Sequence, residues 1–214
     1  MATKGLNRDR LVLIAHDFID EHGLDALTMR RLAKAADVTP GALYKHFRDQ
    51  RDLRRALADS VFAKIDLSDI DTTAPTAEKV IVCFERMRAA MLSFRDGGRI
   101  VAGSYSPFAA TAALGAAVRT MLSALTLAGF DPGDIAYALR NYTVGFVLEE
   151  QAYLTLVATG EWEELLRDPL LVAGSEPSAS NGSDAIAILG DSRDQRFHAG
   201  LEAILTGTVR RDQA

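Results

Sequence analysis

The sequence predicts an all-α fold in which an N-terminal three-helix head carrying a helix-turn-helix precedes a larger helical domain. Three observations predict it. Residues 27–47 read as two short helical segments joined by a tight turn. Apolar residues recur at the spacing of one helical face from Leu11 to Val61, and alanine-rich apolar stretches resume after Thr76. Polar segments carrying proline or glycine separate these runs.

The first helix runs from Asn7 to about Gly23, with Leu11, Ile14, Ala15, Phe18 and Ile19 on one face and Gly23 as its stop. Thr28 caps the second by accepting a hydrogen bond from a backbone N–H that has no partner within the helix. Thr39-Pro40 caps and opens the third, because proline at a first helical position gives up no needed donor. Leu32, Ala33, Ala36, Val38, Leu43 and Phe47 form the buried face and leave Tyr44, Lys45 and His46 for the other. Asp49, with Asp52 in the first turn, starts a fourth helix that runs through Leu53, Leu57 and Val61 to about Ile65 and bridges the two domains.

Residues 67–76, with their acids, threonines and Pro75, form a break. Residues 77 to about 94 and 108 to about 128 read as helices, and Asp96-Gly97-Gly98 as a turn after the first of them. Asp131, Pro132 and Asp134 supply a cap, a first-position proline and an early acid for a long helix reaching about Val157. Its apolar residues, Ile135 to Leu148, point in too many directions for one small domain to cover, so part of that surface calls for a second chain. Residues 173–183 are small, polar and proline-interrupted and read as a mobile linker. A last amphipathic helix extends from about Asp191 to Val209. The domain plan is residues 1–48 for the head, 49–66 for the connecting helix and 67–214 for the core, with a flexible linker near 173–184.

Net charge is −5, which taken alone argues against a nucleic-acid partner. Its distribution reverses that reading, since residues 1–55 carry +3 and the remainder −8. A duplex attracts the head and repels the core, which orients the approach. The start of the chain has no apolar signal-like run, and no segment has the ~18 continuous apolar residues that cross a bilayer. A cytoplasmic location with no membrane partner is expected. The single Cys83 rules out a disulfide within the chain and fits a reducing compartment.

The head offers Thr28, Met29, Arg30, Thr39, Pro40, Gly41, Ala42, Tyr44, Lys45 and His46 as DNA-facing candidates. Pro40, Gly41 and Ala42 supply only methyl contacts and close approach, so direct base readout leans on Arg30, Lys45 and Met29. Tyr44 reads either as a DNA contact or as a packing ring, and His46 either as a contact or as a surface histidine. In the second domain Cys83, Phe84, Met87 and Met91 on one helix and Val118, Met121, Leu122 and Leu125 on another make an apolar stripe. That stripe is either ordinary core or the wall of a pocket for a small hydrophobic molecule. His16, His22, His46 and His198 lack metal-ligand spacing, and no nucleophile–base signature or cofactor loop is present. Neither an enzyme, a metal nor a cofactor is expected.

Leu27-Thr28, Leu32-Ala33, Val38-Thr39 and above all the run Leu43-Tyr44-Lys45-His46-Phe47 resemble the helix-turn-helix block of TetR-family transcriptional repressors. Phe94-Arg95-Asp96-Gly97 and the run from Tyr142 to Gln151 are similar to the core of the tetracycline-repressor branch. The resemblance implies a homodimer, paired through the last two long helices, that binds a near-palindromic operator and releases it when a small effector enters the core. An activator or a ligand-independent regulator is the alternative. It also implies that Arg30 reaches a guanine edge, that Thr28, Tyr44 and His46 contact the DNA backbone, and that Lys45 stands where the branch has tryptophan. Pro40, Gly41 and Ala42 replace Gln, Pro and Thr, which implies a different operator.

The branch holds tetracycline as a magnesium chelate. Here Val101 stands at the histidine ligand's position, Ser104 replaces a threonine, Cys83 an asparagine and Met121 a glutamine. Glu149 matches a glutamate that holds a metal-bound water, or else pairs with Arg99 or Arg119, or lies at the dimer surface. Valine coordinates nothing, and one carboxylate with one hydroxyl makes a poor magnesium site. The expected effector is therefore apolar and metal-free, bound by Cys83, Met87, Met91, Val101, Ser104, Val118, Met121, Leu125 and Glu149.

Overall fold

Asn7, Thr28, Asp49, Thr76 and Asp131 each accept a hydrogen bond from a backbone N–H two or three residues on, and so fix five helix starts in the computed structural model. The structure describes residues 6–165, 167 and 192–209. Among the described residues the elements are α1 (Arg8–His22), a 3-10 turn (Leu24–Ala26), α2 (Met29–Ala35), α3 (Pro40–Leu43), α4 (Gln50–Phe62), α5 (Ala77–Leu92), α6 (Gly97–Val101), α7 (Ala109–Leu125), α8 (Pro132–Thr159), α9 (Glu161–Leu165) and α10 (Arg193–Leu205). The fold is all-α, as the sequence predicts; a bridge of β type joins Thr126 to Val209.

Several boundaries differ from the sequence reading. Thr39 stands at the start of α3, but its side chain makes no capping hydrogen bond, so Pro40 alone defines that start. Helix α4 closes at Phe62 rather than Ile65. Asp96 does form a turn, in the left-handed region at φ 59°, but Gly97 at once opens α6, which the sequence reading missed. Gly160, at φ 77°, ends α8, and α9 follows it unexpectedly. The linker expected at 173–184 and the start of the last helix at Asp191 lie outside the described residues.

One continuous buried cluster runs from Leu11 in the head, through Leu53, Leu57 and Val61 of α4, to Met87, Met121 and Leu201. Helix α4 is shared between the two parts: it packs on α1 on the head side and on α5, α6 and α7 on the core side. Helix α8 is the axis of the core, in contact with α5, α6, α7 and α10. Two close approaches need glycine. A Cβ on Gly97 would collide with the Met91 carbonyl at the end of α5, and one on Gly200 would collide with the Tyr142 hydroxyl where α10 crosses α8.

Candidate nucleic-acid interface and ligand cavity

Thr28 accepts from the Arg31 N–H at 3.2 Å and opens α2, and Asp37 at φ 53° makes the tight turn after it. Leu32, Leu43 and Phe47 are fully buried, while Ala36 and Val38 are half-buried against the same core. The opposite side carries Thr28, Arg30, Thr39, Pro40, Gly41 and Lys45, all exposed, and Tyr44 at 55% exposure. Ala42 and His46 are half-buried. Met29 is a correction: at 9% exposure it belongs to the core of the head, because the first position of α2 turns it inward, and it presents nothing to a base edge. Helix α3 itself is only four residues long, so Tyr44, Lys45 and His46 sit on the turn that follows it. Arg31, Lys34, Arg48 and Arg51 are exposed around this surface.

The turn is gripped from behind by Arg8. Its guanidinium donates to the His46 carbonyl at 2.5 Å and to the Asp52 carboxylate at 2.8 Å, and lies over the rings of Phe47 (4.5 Å) and Phe108 (5.2 Å). Asp52, which sequence reading placed merely as a first-turn acid, is buried and also accepts from the Arg48 N–H at 3.0 Å. The hydrogen bond from Arg8 holds its carboxyl below the usual carboxylate range despite burial. Arg8 thus touches the reading turn, α4 and the approach to α7 together.

In the core, a cavity of about 280 Å³ lies between α4, α5, α7 and α8. Phe62 comes from α4, Phe84 and Met87 from α5, and Thr111, Leu114, Gly115 and Val118 from α7. Arg119, Gly133, Ala136, Tyr137 and Arg140 complete it. Of the expected ligand residues, Met87 and Val118 line this cavity. Cys83, Met91, Val101, Met121 and Leu125 are buried outside it as core. Burial pushes the Cys83 thiol up to about 11, so it is an inert core group. The missed wall on α7 had a visible signal, the 111, 114, 115, 118 spacing of a single helical face with Gly115 leaving room.

The two adjacent acids of α8 stand in different environments. Both border a separate groove with Tyr142, Tyr153 and Arg196; Glu149 is exposed there, whereas Glu150 is buried and bound twice by Arg88, at 2.7 and 2.8 Å. Arg88 also reaches Asp194 at 2.7 Å and so ties α5, α8 and α10 together. Glu149 pairs with neither Arg99, which binds Asp25 and Asp96, nor Arg119. The Ser104 hydroxyl donates to the Val101 carbonyl at 2.8 Å, and Val101 has no donor atom. With Glu149 on another face, these residues do not fit a magnesium ion.

Two sets of contacts join the core to α4 and to the head. Asp59 of α4 accepts from Thr111 at the cavity wall. On the other side, Asp96 accepts from the Leu24 N–H at 2.9 Å, Arg99 binds Asp25 at 2.6 Å, and Arg95 donates to the Asp20 carbonyl at 2.7 Å. Gln151 of α8 braces this region, accepting from the Gly98 N–H at 3.0 Å and donating to the Phe94 carbonyl at 2.9 Å. Among the described residues no helix is long and apolar enough to cross a membrane.

Comparison with known proteins covers both parts of the chain. The family described as bacterial regulatory proteins, tetR family, matches residues 14–57, and the tetracyclin repressor-like C-terminal domain matches residues 76–211. Tetracycline repressor protein class A from transposon 1721 of Escherichia coli is 33% identical over 96% of this chain and 92% of its own length. A possible TetR family transcriptional regulator from Streptomyces coelicolor A3(2) has a similar structure, with a TM-score of 0.74 at 32% identity over 94% of this chain and 98% of that one. BioQ, solved with its natural double-stranded DNA operator, gives a TM-score of 0.62 at 30% identity over 79% of this chain and 98% of that one. The chain belongs to the tetR family and is a DNA-binding transcriptional regulator with a helix-turn-helix head and a tetracyclin repressor-like C-terminal domain.

Proposed function

We propose that this regulator is a homodimeric, non-catalytic repressor of the cytoplasm whose two heads enter successive major grooves of a near-palindromic operator, about 34–36 Å apart. The observation that carries this reading is the exposed face of Arg30, Tyr44 and Lys45 over a fully buried Leu32, Leu43 and Phe47. Residues 1–48 read DNA, 49–66 transmit and 67–214 sense and dimerise. Arg30 reads a base edge, while Thr28, Thr39, Tyr44, Lys45 and His46 hold the backbone and Pro40, Gly41 and Ala42 permit close approach. BioQ, at 30% identity, was solved on its operator, which supports this use of the head.

The effector site is the cavity between α4, α5, α7 and α8, and its occupant is metal-free. Phe62 puts α4 directly in the cavity wall, and Thr111 links that wall to Asp59. A ligand that wedges these apart moves α4, with it Asp52 and Arg8, and so the reading turn. An effector that weakens DNA binding about 100-fold carries roughly 2.7 kcal/mol of coupling, and operator DNA weakens effector binding by the same factor.

Selection of bound sequences from a random DNA library by the purified protein at physiological salt tests this. A single near-palindromic motif spaced for two major-groove contacts is expected. Sequence-blind, salt-sensitive binding alone would overturn it.

A further inference from the structure

The cavity wall is apolar in its interior, yet two guanidinium groups, Arg119 and Arg140, border it and no carboxylate does. This stands out against its surroundings, because residues 56–214 carry a net charge of −8. Most other arginines of the core that the structure describes are already engaged: Arg86 with Asp69, Arg88 with Glu150 and Asp194, Arg99 with Asp25 and Asp96, Arg193 with Glu150, Arg95 with the Asp20 carbonyl, and Arg196 with the Ser192 hydroxyl. Arg119 and Arg140 have no ion-pair partner among the described residues; Arg140 instead lies 5.5 Å from the centre of the Tyr105 ring. Cations at the edge of a desolvated apolar site attract a charge of opposite sign, and a bond from guanidinium to an anion is stronger than one to a neutral acceptor.

Resting on the reading of this cavity as the effector site, we infer that the effector is an amphipathic anion. Its one- or two-ring or acyl body lies against Phe84, Met87, Leu114 and Val118, and its carboxylate or equivalent acid group faces Arg119 and Arg140. The volume of about 280 Å³ lies at the lower edge of small-molecule sites, which favours a body of this size.

The probes are 2-naphthoate and decanoate, each paired with its uncharged amide, titrated calorimetrically into the full-length protein. At least one acid is expected to bind saturably and about tenfold or more tighter than its amide. The double variant R119Q/R140Q, whose changes lie at the cavity edge and whose fold is checked by circular dichroism, should lose that preference while keeping its weak affinity for the amide. Val118→Trp, which fills the cavity, should abolish binding of both. Equal binding of acid and amide, an undiminished preference in R119Q/R140Q, or no saturable binding of either acid would overturn the inference. Operator release is read separately: an acid that binds through the two arginines without releasing DNA supports the ligand class and overturns the release mechanism.

Discussion

Asp59 on α4 accepts two hydrogen bonds from one residue across the domain boundary, the backbone N–H and the hydroxyl of Thr111, both at 2.8 Å. The first turn of α7 has N–H groups with no partner inside the helix, and Asp59 satisfies one of them from another element. The same threonine lines the cavity, so this bond is where cavity shape meets the connecting helix.

Asp59→Ala should therefore lower stability by about 1–2 kcal/mol in urea denaturation. Its larger effect should be on regulation: ligand affinity persists while the ratio of operator affinities with and without ligand shrinks. An unchanged ratio would make the bond a structural brace only.

Arg8→Ala should cost roughly 2–3 kcal/mol of stability, because it leaves the buried Asp52 carboxylate without its main cation. Operator affinity should fall as well, since the His46 carbonyl loses its anchor. The pH dependence has a definite sign. The folded Asp52 carboxyl titrates below its unfolded value, so its stabilisation is full above an unfolded pKa of about 3.9 and is lost as pH falls further. Acid titration of the Ala variant should lack that part of the slope.

Arg30→Ala should weaken operator binding by about 1–3 kcal/mol and relax preference at one base pair. Lys45→Ala should weaken all sequences alike and reduce the salt slope by about one. Fluorescence anisotropy on operator and scrambled duplexes at several salt concentrations separates the two, and unchanged binding in both variants would mean that the head lies differently on DNA.

His16 is buried between α1 and α4, with Nε2 2.7 Å from the Ser60 hydroxyl and its ring 4.4 Å from that of Phe94. Burial lowers its pKa to about 4. The unfolded chain takes up a proton near pH 6.5 while the folded chain stays neutral, so stability should decline between about pH 6.5 and 4, by roughly 3 kcal/mol from this residue, and level off below. Thermal melts across that range should show this decline, and His16→Gln should flatten it.

The helices were legible where local chemistry decides them, as at Asn7, Thr28, Asp49 and Asp131, whose side chains bond to N–H groups a few residues away. The exposed face of the head was legible for the same reason, since the burial of Leu43 and Phe47 fixes where Tyr44 and Lys45 stand. Met29 went astray because a residue in the first turn of a helix can face either way until its neighbours are known. The cavity was half legible. Helical spacing marks Val118 and Met121 alike as apolar, but only the crossing of α7 with α4 and α8 determines that Val118 borders space and Met121 is packed solid. That crossing is also why a bulky plug belongs at Val118; at Met121 it would overfill the core. Glu149 and Glu150 are adjacent, and which of them turns inward depends on Arg88, 62 positions from Glu150 in the chain.

Arg8 holds the reading turn by the backbone oxygen of residue 46, not by any side chain that faces DNA. Every amino acid offers that oxygen. On the proposed reading, the letters read by the head and the linkage that moves it are therefore separable inheritances: substitutions at Arg30 can retarget the protein to a new promoter while the grip that transmits release stays as it is. A lineage of such proteins can drift in what it recognises without having to reinvent how it lets go.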